Sequence, residues 1–201
     1  MDFTYRDEDH SYWVEGVKIP SVTQVISSMG FSDFSKVNPE KLEWASNRGK
    51  AVHETCRLFD MGILDFTTVG LEIIPYLNAW KKFKEGFNVE LLPEWIENRS
   101  VCEKYRFGFC TDRVAKIYNK FGVIDLKTSE TPSPVAGLQT SGYKIGVEQE
   151  TKLKIQFRWA IHLGSDGNFK LQEYTDPAEE SIFLMALQCH NWKERKLIKT
   201  K

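Results

Sequence analysis

The sequence predicts an α/β domain with a central mixed sheet flanked by helices. Three observations predict it. A long helical stripe precedes a run of three strand-like segments. A further helical segment separates that run from the most regular strand in the chain. Strands interleaved with helices in this way form layered α/β folds, in which each helix covers a sheet face. At 201 residues with 41% hydrophobic content, the chain needs no disulfide or structural metal to build a core.

The elements follow in order. Phe3 and Tyr5 alternate with polar residues, and Tyr12 to Ile19 forms a second strand around a Glu15-Gly16 turn or bulge. Pro20-Ser21 ends that hairpin, and Ser21 is placed to cap a short helix from Val22 to Met29. Asn38 and Pro39 then stand as N-cap and first residue of a strong helix. Leu42, Ala45, Gly49, Val52, Cys56 and Phe59 recur along it as one buried stripe, and Gly62 stops it. A second helix covers about Leu71 to Glu85, with Pro75 near its first turn. Glu94 to Cys102, Phe107 to Tyr118 and Gly122 to Thr128 read as consecutive strands, with Asn119 to Gly122 turning the last two. A helix from about Pro134 to Gly146 follows. Leu153, Ile155, Phe157, Trp159 and Ile161 then alternate strictly with mostly polar residues, which is a strand period. Ser165-Asp166-Gly167-Asn168 turns the chain into a partner strand, Phe169 to Tyr174. The last helix opens at Asp176-Pro177, with Glu179 as the capping-box partner, and runs to about Lys196. No repeat or linker interrupts the chain, so residues 1–201 read as one domain. Residues 1–37 form the hairpin and short helix, and 38–201 the main body.

Charge narrows the function. Twenty-seven Lys and Arg balance 28 Asp and Glu, so a histone-like polybasic mode of binding is excluded. A local basic cleft on a neutral protein is not. No apolar run approaches the ~18–20 residues of a membrane helix, and the first ten residues are mixed and acidic rather than a signal peptide. The four cysteines lack paired spacing and read as reduced thiols of a cytoplasmic protein. Lys81-Lys82-Phe83-Lys84 reads as a solvated helix face, and Lys193 to Lys201 as a frayed basic tail. His10, His162 and His190 read as structural, and Trp44 or Trp80 as the tryptophans able to stack a base.

The chemistry concentrates at Asp112 and at Asp125-Leu126-Lys127-Thr128. Residues two apart on a strand share a face, so Asp125 and Lys127 point together while Ile124 and Leu126 enter the core. A short turn brings Asp112 alongside. Two carboxylates and a lysine on one face suit metal-dependent phosphodiester hydrolysis. The carboxylates are hard ligands for Mg²⁺ or Mn²⁺, and the lysine stabilises charge on phosphoryl oxygens.

Around this core stand three further motifs: Ile19-Pro20-Ser21-Val22-Thr23 and Arg48-Gly49-Lys50-Ala51-Val52-His53-Glu54 before it, and Gln139-Thr140-Ser141-Gly142-Tyr143 after it. In this order they resemble the PD-(D/E)XK nuclease superfamily, in its RecB-like and phage exonuclease branch, to which the mitochondrial genome maintenance exonucleases are similar. The resemblance implies a restriction-endonuclease-like core and a metal-dependent DNA nuclease, foremost an exonuclease in recombination, repair or phage DNA metabolism. It implies His53, Asp112 and Asp125 as ligands of Mg²⁺ or Mn²⁺, Lys127 as the catalytic lysine, and Glu97, with Glu94 as fallback, as a further catalytic carboxylate. It implies Gln139 and Tyr143 as contacts to phosphate or supports for the lysine. Arg48, Ser21 and Thr23 are implied as substrate contacts, although Ser21 serves equally well as a helix cap. Single- or double-stranded DNA is the implied partner, with a single-strand annealing protein or a helicase as protein partners, in a bacterial cell or phage-infected host. The family's Gly-Thr-x-Asp is altered here, with the glycine one position earlier at Gly108. Two rivals stay open: a structure-specific endonuclease of the same fold, and a catalytically silent nucleic-acid-binding module.

Overall fold

The computed structural model describes residues 2–31, 38–129 and 131–198, with only the backbone of 197 and 198. The end of the basic tail, residues 199–201, lies outside the described residues, as does the segment 32–37 across which the sequence divides the chain.

The first three strands are β1 (Phe3–Arg6), β2 (Ser11–Val14) and β3 (Val17–Ile19), an antiparallel meander. Glu15-Gly16 is the two-residue turn between β2 and β3, both residues at positive φ. Helix α1 (Val22–Ser28) follows, and α2 (Pro39–Asp60) starts on the Asn38 cap. The stripe expected along α2 is buried only in its C-terminal half. Val52 and Cys56 are fully buried, whereas Leu42 is exposed. Helix α3 (Ile74–Phe87) comes next, then the short strand β4 (Glu90–Leu91), which carries too few residues to show a period.

The expected run of three strands becomes four. These are β5 (Asn98–Cys102), β6 (Phe107–Thr111), β7 (Arg113–Ile117) and β8 (Lys120–Lys127). The single strand expected over 107–118 breaks at Asp112, where the chain leaves the β5–β6 hairpin and enters the main sheet. Tyr118-Asn119, both at positive φ, form the centre of the β7–β8 turn, two residues earlier than the Asn119–Gly122 expectation places it. Helix α4 (Val135–Thr151) leads to β9 (Ile155–Leu163), β10 (Phe169–Glu173) and α5 (Ala178–Lys193).

The main sheet has order β10-β9-β8-β7-β4. It is mixed: β8 and β9 are parallel, joined over the sheet by α4, and the other pairs are antiparallel. Alternation along the strands feeds two cores. Val114 and Val123 pack with α1, α4 and α5, while Ala115, Ile124 and Leu126 pack with α2 and α3. Helix α1 thus shares a core with α4 and α5. The strict alternation expected from Ile155 onward is interrupted by a register shift opposite Phe121 and Gly122. Ile155 therefore enters one core and Phe157 the other. Gly122 permits this, since a Cβ there would lie 2.2 Å from the Phe157 ring.

Arg158 lies buried between three elements. It donates to Gly137 O (3.0 Å), Asp176 O (3.1 Å) and Ser141 Oγ, and pairs with Glu179 (2.8 Å). Glu179 is thereby turned toward Arg158, and the capping box expected at α5 does not form; Asp176 Oδ1 instead accepts from the Ala178 amide. The four cysteines are free thiols. Among the described residues no helix is long and apolar enough to cross a membrane.

Candidate metal and phosphate site

The site forms where α2, the β6–β7 junction and the end of β8 meet. Asp112 sits between two strands of different sheets, so its carboxylate is not occupied by a flat sheet face. One oxygen, Oδ2, accepts from the Leu126 amide at 2.6 Å, which locks the side chain against β8. The other, Oδ1, lies 3.6 Å from His53 Nδ1. Glu97 reaches the same nitrogen at 3.1 Å. Its backbone is left-handed, with φ of 48°, and its amide donates to Asp112 O. His53 Nε2 faces Leu126 O at 3.1 Å. His53, Glu97 and Asp112 together offer three ligand atoms within 4.8 Å of one another.

Asp125 and Lys127 occupy the other side of β8, facing α4. Lys127 Nζ lies 2.7 Å from Asp125 Oδ2 and donates to Gln139 Oε1 at 3.1 Å. Gln139 Nε2 in turn donates to Tyr143 OH at 2.6 Å. The i,i+4 spacing of Gln139 and Tyr143 on α4 creates this chain. Tyr143 is buried, so its place is behind Gln139.

Electrostatics tie the two halves together. Burial would lower the His53 pKa, but Asp112, the Glu97 hydrogen bond and Asp125 outweigh it and raise it to about 9. Burial raises both Asp112 and Asp125; the Glu97 charge adds to the rise at Asp112, and the Asp112 charge to that at Asp125. Burial works against the Lys127 ammonium, yet Asp125 and Asp112 hold its pKa above the ordinary value. Four charged groups thus share one desolvated volume. A cleft of about 720 Å³ opens beside His53 and Glu97, with Lys50, Arg57 and Arg99 on its rim.

The expected residues divide as follows. His53, Asp112 and Glu97 converge. Asp125 adjoins them but is held by Lys127, and the three-ligand group does not contain it. The fallback Glu94 is exposed in a 3₁₀ turn, Pro93–Trp95, and the strand begins only at Asn98, so Glu97 alone reaches the site. Arg48 donates to Thr128 O at 3.3 Å and stacks on Trp44 at 4.5 Å, placing it at the end of the Asp125–Lys127 strand. Ser21 closes a capping box with Gln24 at the start of α1. Thr23 is exposed, its hydroxyl 3.1 Å from Ser21 Oγ. Gly108 is required by close approach, as a Cβ there would meet the Tyr12 ring at 2.2 Å. Trp80 is fully buried and cannot stack a base, whereas Trp44 is exposed. Lys84 is not a solvated lysine but pairs with buried Asp60 at 2.6 Å, and Phe83 beside it is core.

Asp60 and Arg113 were not anticipated. Arg113 is fully buried, 2.7 Å from Asp60 and 3.1 Å from Glu97 Oε1. Signals for both exist in the sequence. Arg113 directly follows Asp112 and shares a strand face with Ala115 and Ile117, and Asp60 lies two helical turns after His53.

No family model matches the chain, and no curated protein matches it. The solved structures that match include one described as "Crystal structure of SSO0001", 18% identical, covering 74% of this chain and 71% of that chain with a TM-score of 0.39.

Proposed function

We propose that this protein is a metal-dependent DNA nuclease of the PD-(D/E)XK type, acting as an exonuclease. One observation carries the reading: a His53–Glu97–Asp112 ligand group directly adjoins an Asp125–Lys127 pair whose lysine is fixed by Gln139. The order of α2, the β7–β8 hairpin, α4 and the parallel strand β9 supports the fold assignment. Exonuclease rather than endonuclease action comes from the sequence resemblance.

The donor set fits the metal. Carboxylate oxygens are the ligands Mg²⁺ and Mn²⁺ prefer, and one imidazole nitrogen tilts the site toward Mn²⁺. His53, Glu97 and Asp112 would hold the ion, with Asp125 beside them. Bound there, it would supply Lewis acidity toward a phosphate and a more acidic water. Lys127 donates from Nζ to a phosphoryl oxygen as negative charge develops in the transition state. Asp125 and Gln139 aim that ammonium, and Tyr143 braces Gln139 from the core side. Lys50 and Arg99 at the cleft rim attract the phosphate backbone.

The test is cleavage of end-labelled linear and closed circular DNA, single- and double-stranded, in Mg²⁺, Mn²⁺ or EDTA. Loss of linear DNA with intact circles, abolished by EDTA, is the expected result. Cut circles would make the protein an endonuclease, and DNA binding without cleavage in either metal would make it a binding module.

A further inference from the structure

Behind the proposed metal ligands lies a charged network that the nuclease reading does not use. Asp60 is fully buried at the C-terminal end of α2. Its carboxylate accepts from Arg113 Nε (2.7 Å), from Lys84 Nζ (2.6 Å) and from Trp80 Nε1 (3.0 and 3.1 Å). Arg113 then uses a second nitrogen, Nη1, toward the site. It donates to Glu97 Oε1 at 3.1 Å and to the Asp112 carbonyl. One planar guanidinium therefore bridges a buried anion on α2 to one ligand side chain and to the backbone of another.

Glu97 depends on that bridge. It sits at φ 48°, a conformation non-glycine residues rarely adopt. Its Oε1 is shared by His53 Nδ1 and Arg113, each at 3.1 Å. The fork geometry of arginine fixes direction as well as charge, which a lysine at the same place would not do.

We infer that Asp60 is a positioning residue of the metal site: by clamping Arg113 it holds the Glu97 carboxylate in ligating orientation. This rests on the metal reading given above. Groups that orient metal ligands typically change affinity by roughly 10–100-fold when removed. Lys84 and Trp80 also donate to Asp60, and the Trp80 ring lies 5.7 Å from the Arg113 guanidinium.

The test is Mn²⁺ affinity, read by electron paramagnetic resonance of free Mn²⁺, on folded wild-type protein and on Asp60→Asn, Glu97→Gln and the double variant. The expected result is a loss of about tenfold or more for Asp60→Asn in the wild-type background. In the Glu97→Gln background the same change should cost less than about twofold, because a residue acting through Glu97 has nothing left to act on. A purely structural role would lower thermal stability without this dependence on Glu97. If Asp60→Asn does not fold, Lys84→Met carries the test, since Lys84 touches Asp60 and is partly exposed. A loss of affinity that vanishes in Glu97→Gln is expected there too. Wild-type binding of Mn²⁺ with unchanged affinity in the folded variant overturns the inference alone. A wild-type protein that binds no Mn²⁺ overturns the metal reading and the inference with it.

Discussion

His53 hydrogen-bonds Glu97 and lies 3.6 Å from the Asp112 carboxylate, which sets how the site responds to pH. Its pKa is raised to about 9, against an ordinary value of 6.5. A group whose pKa rises on folding stabilises the fold below its unfolded pKa and loses that contribution as pH climbs through the folded value. Asp112 and Asp125, also raised, act in the same direction. In EDTA, the melting temperature should therefore fall as pH is raised from 6.5 to 9. His53→Gln should flatten that fall, and a slope unchanged by the substitution would mean that His53 is not held by the two carboxylates. Under the proposed function a divalent ion would replace the His53 proton, so Mn²⁺ should bind more tightly as pH rises over the same window. Lys127 shows what was legible at this scale. Asp125 and Lys127 two apart on a strand had to share a face, and they do. The placement of Asp125 against Lys127 rather than in the ligand group was not legible, because it depends on which side of β8 α4 covers.

At the scale of elements, the helices and their caps follow from local chemistry, while strand boundaries follow from tertiary contacts. Asn38-Pro39 and Ser21 each start a helix as their side chains require, since both accept from the free amides of the first turn. Ser21→Ala should cost about 1 kcal/mol of stability in a denaturant melt. If its hydroxyl serves α1 alone, DNA cleavage should stay within about twofold of wild type; a large loss of cleavage with little loss of stability would restore a substrate role. The break at Asp112 was not legible, because Phe107 to Ile117 carries strand-forming residues throughout and only the transfer between sheets divides it. The register shift in β9 was hidden for a similar reason: a bulge leaves no trace in an alternating pattern. Gly122 does betray it. A methyl group at that position collides with the Phe157 ring, so Gly122→Ala should destabilise the protein by roughly 1–3 kcal/mol. An unaffected melting curve would mean that β8 and β9 have room the close contact denies.

Across the whole molecule, the α/β class and mixed sheet were readable from the order of elements, because a helix between two strands of one sheet permits a parallel pair. The two-core division was not, since it depends on which helices settle on which face. The site lies where the layers join, with His53 from α2, Asp112 from the strand junction, Asp125 and Lys127 from β8, and Gln139 from α4. Arg158 fastens α4 to β9 and to the segment before α5, and so fixes the platform from which Gln139 reaches Lys127. Under the proposed function these parts perform one reaction. Its most direct test is the Mn²⁺-dependent release of labelled nucleotides from linear DNA by wild-type protein and by Lys127→Ala, with DNA and Mn²⁺ binding measured alongside. The expected result is release by the wild type that EDTA stops, and a loss of about 10²–10³ in rate for Lys127→Ala with binding retained. Equal rates for the two proteins, or no metal-dependent release by the wild type, would contradict it.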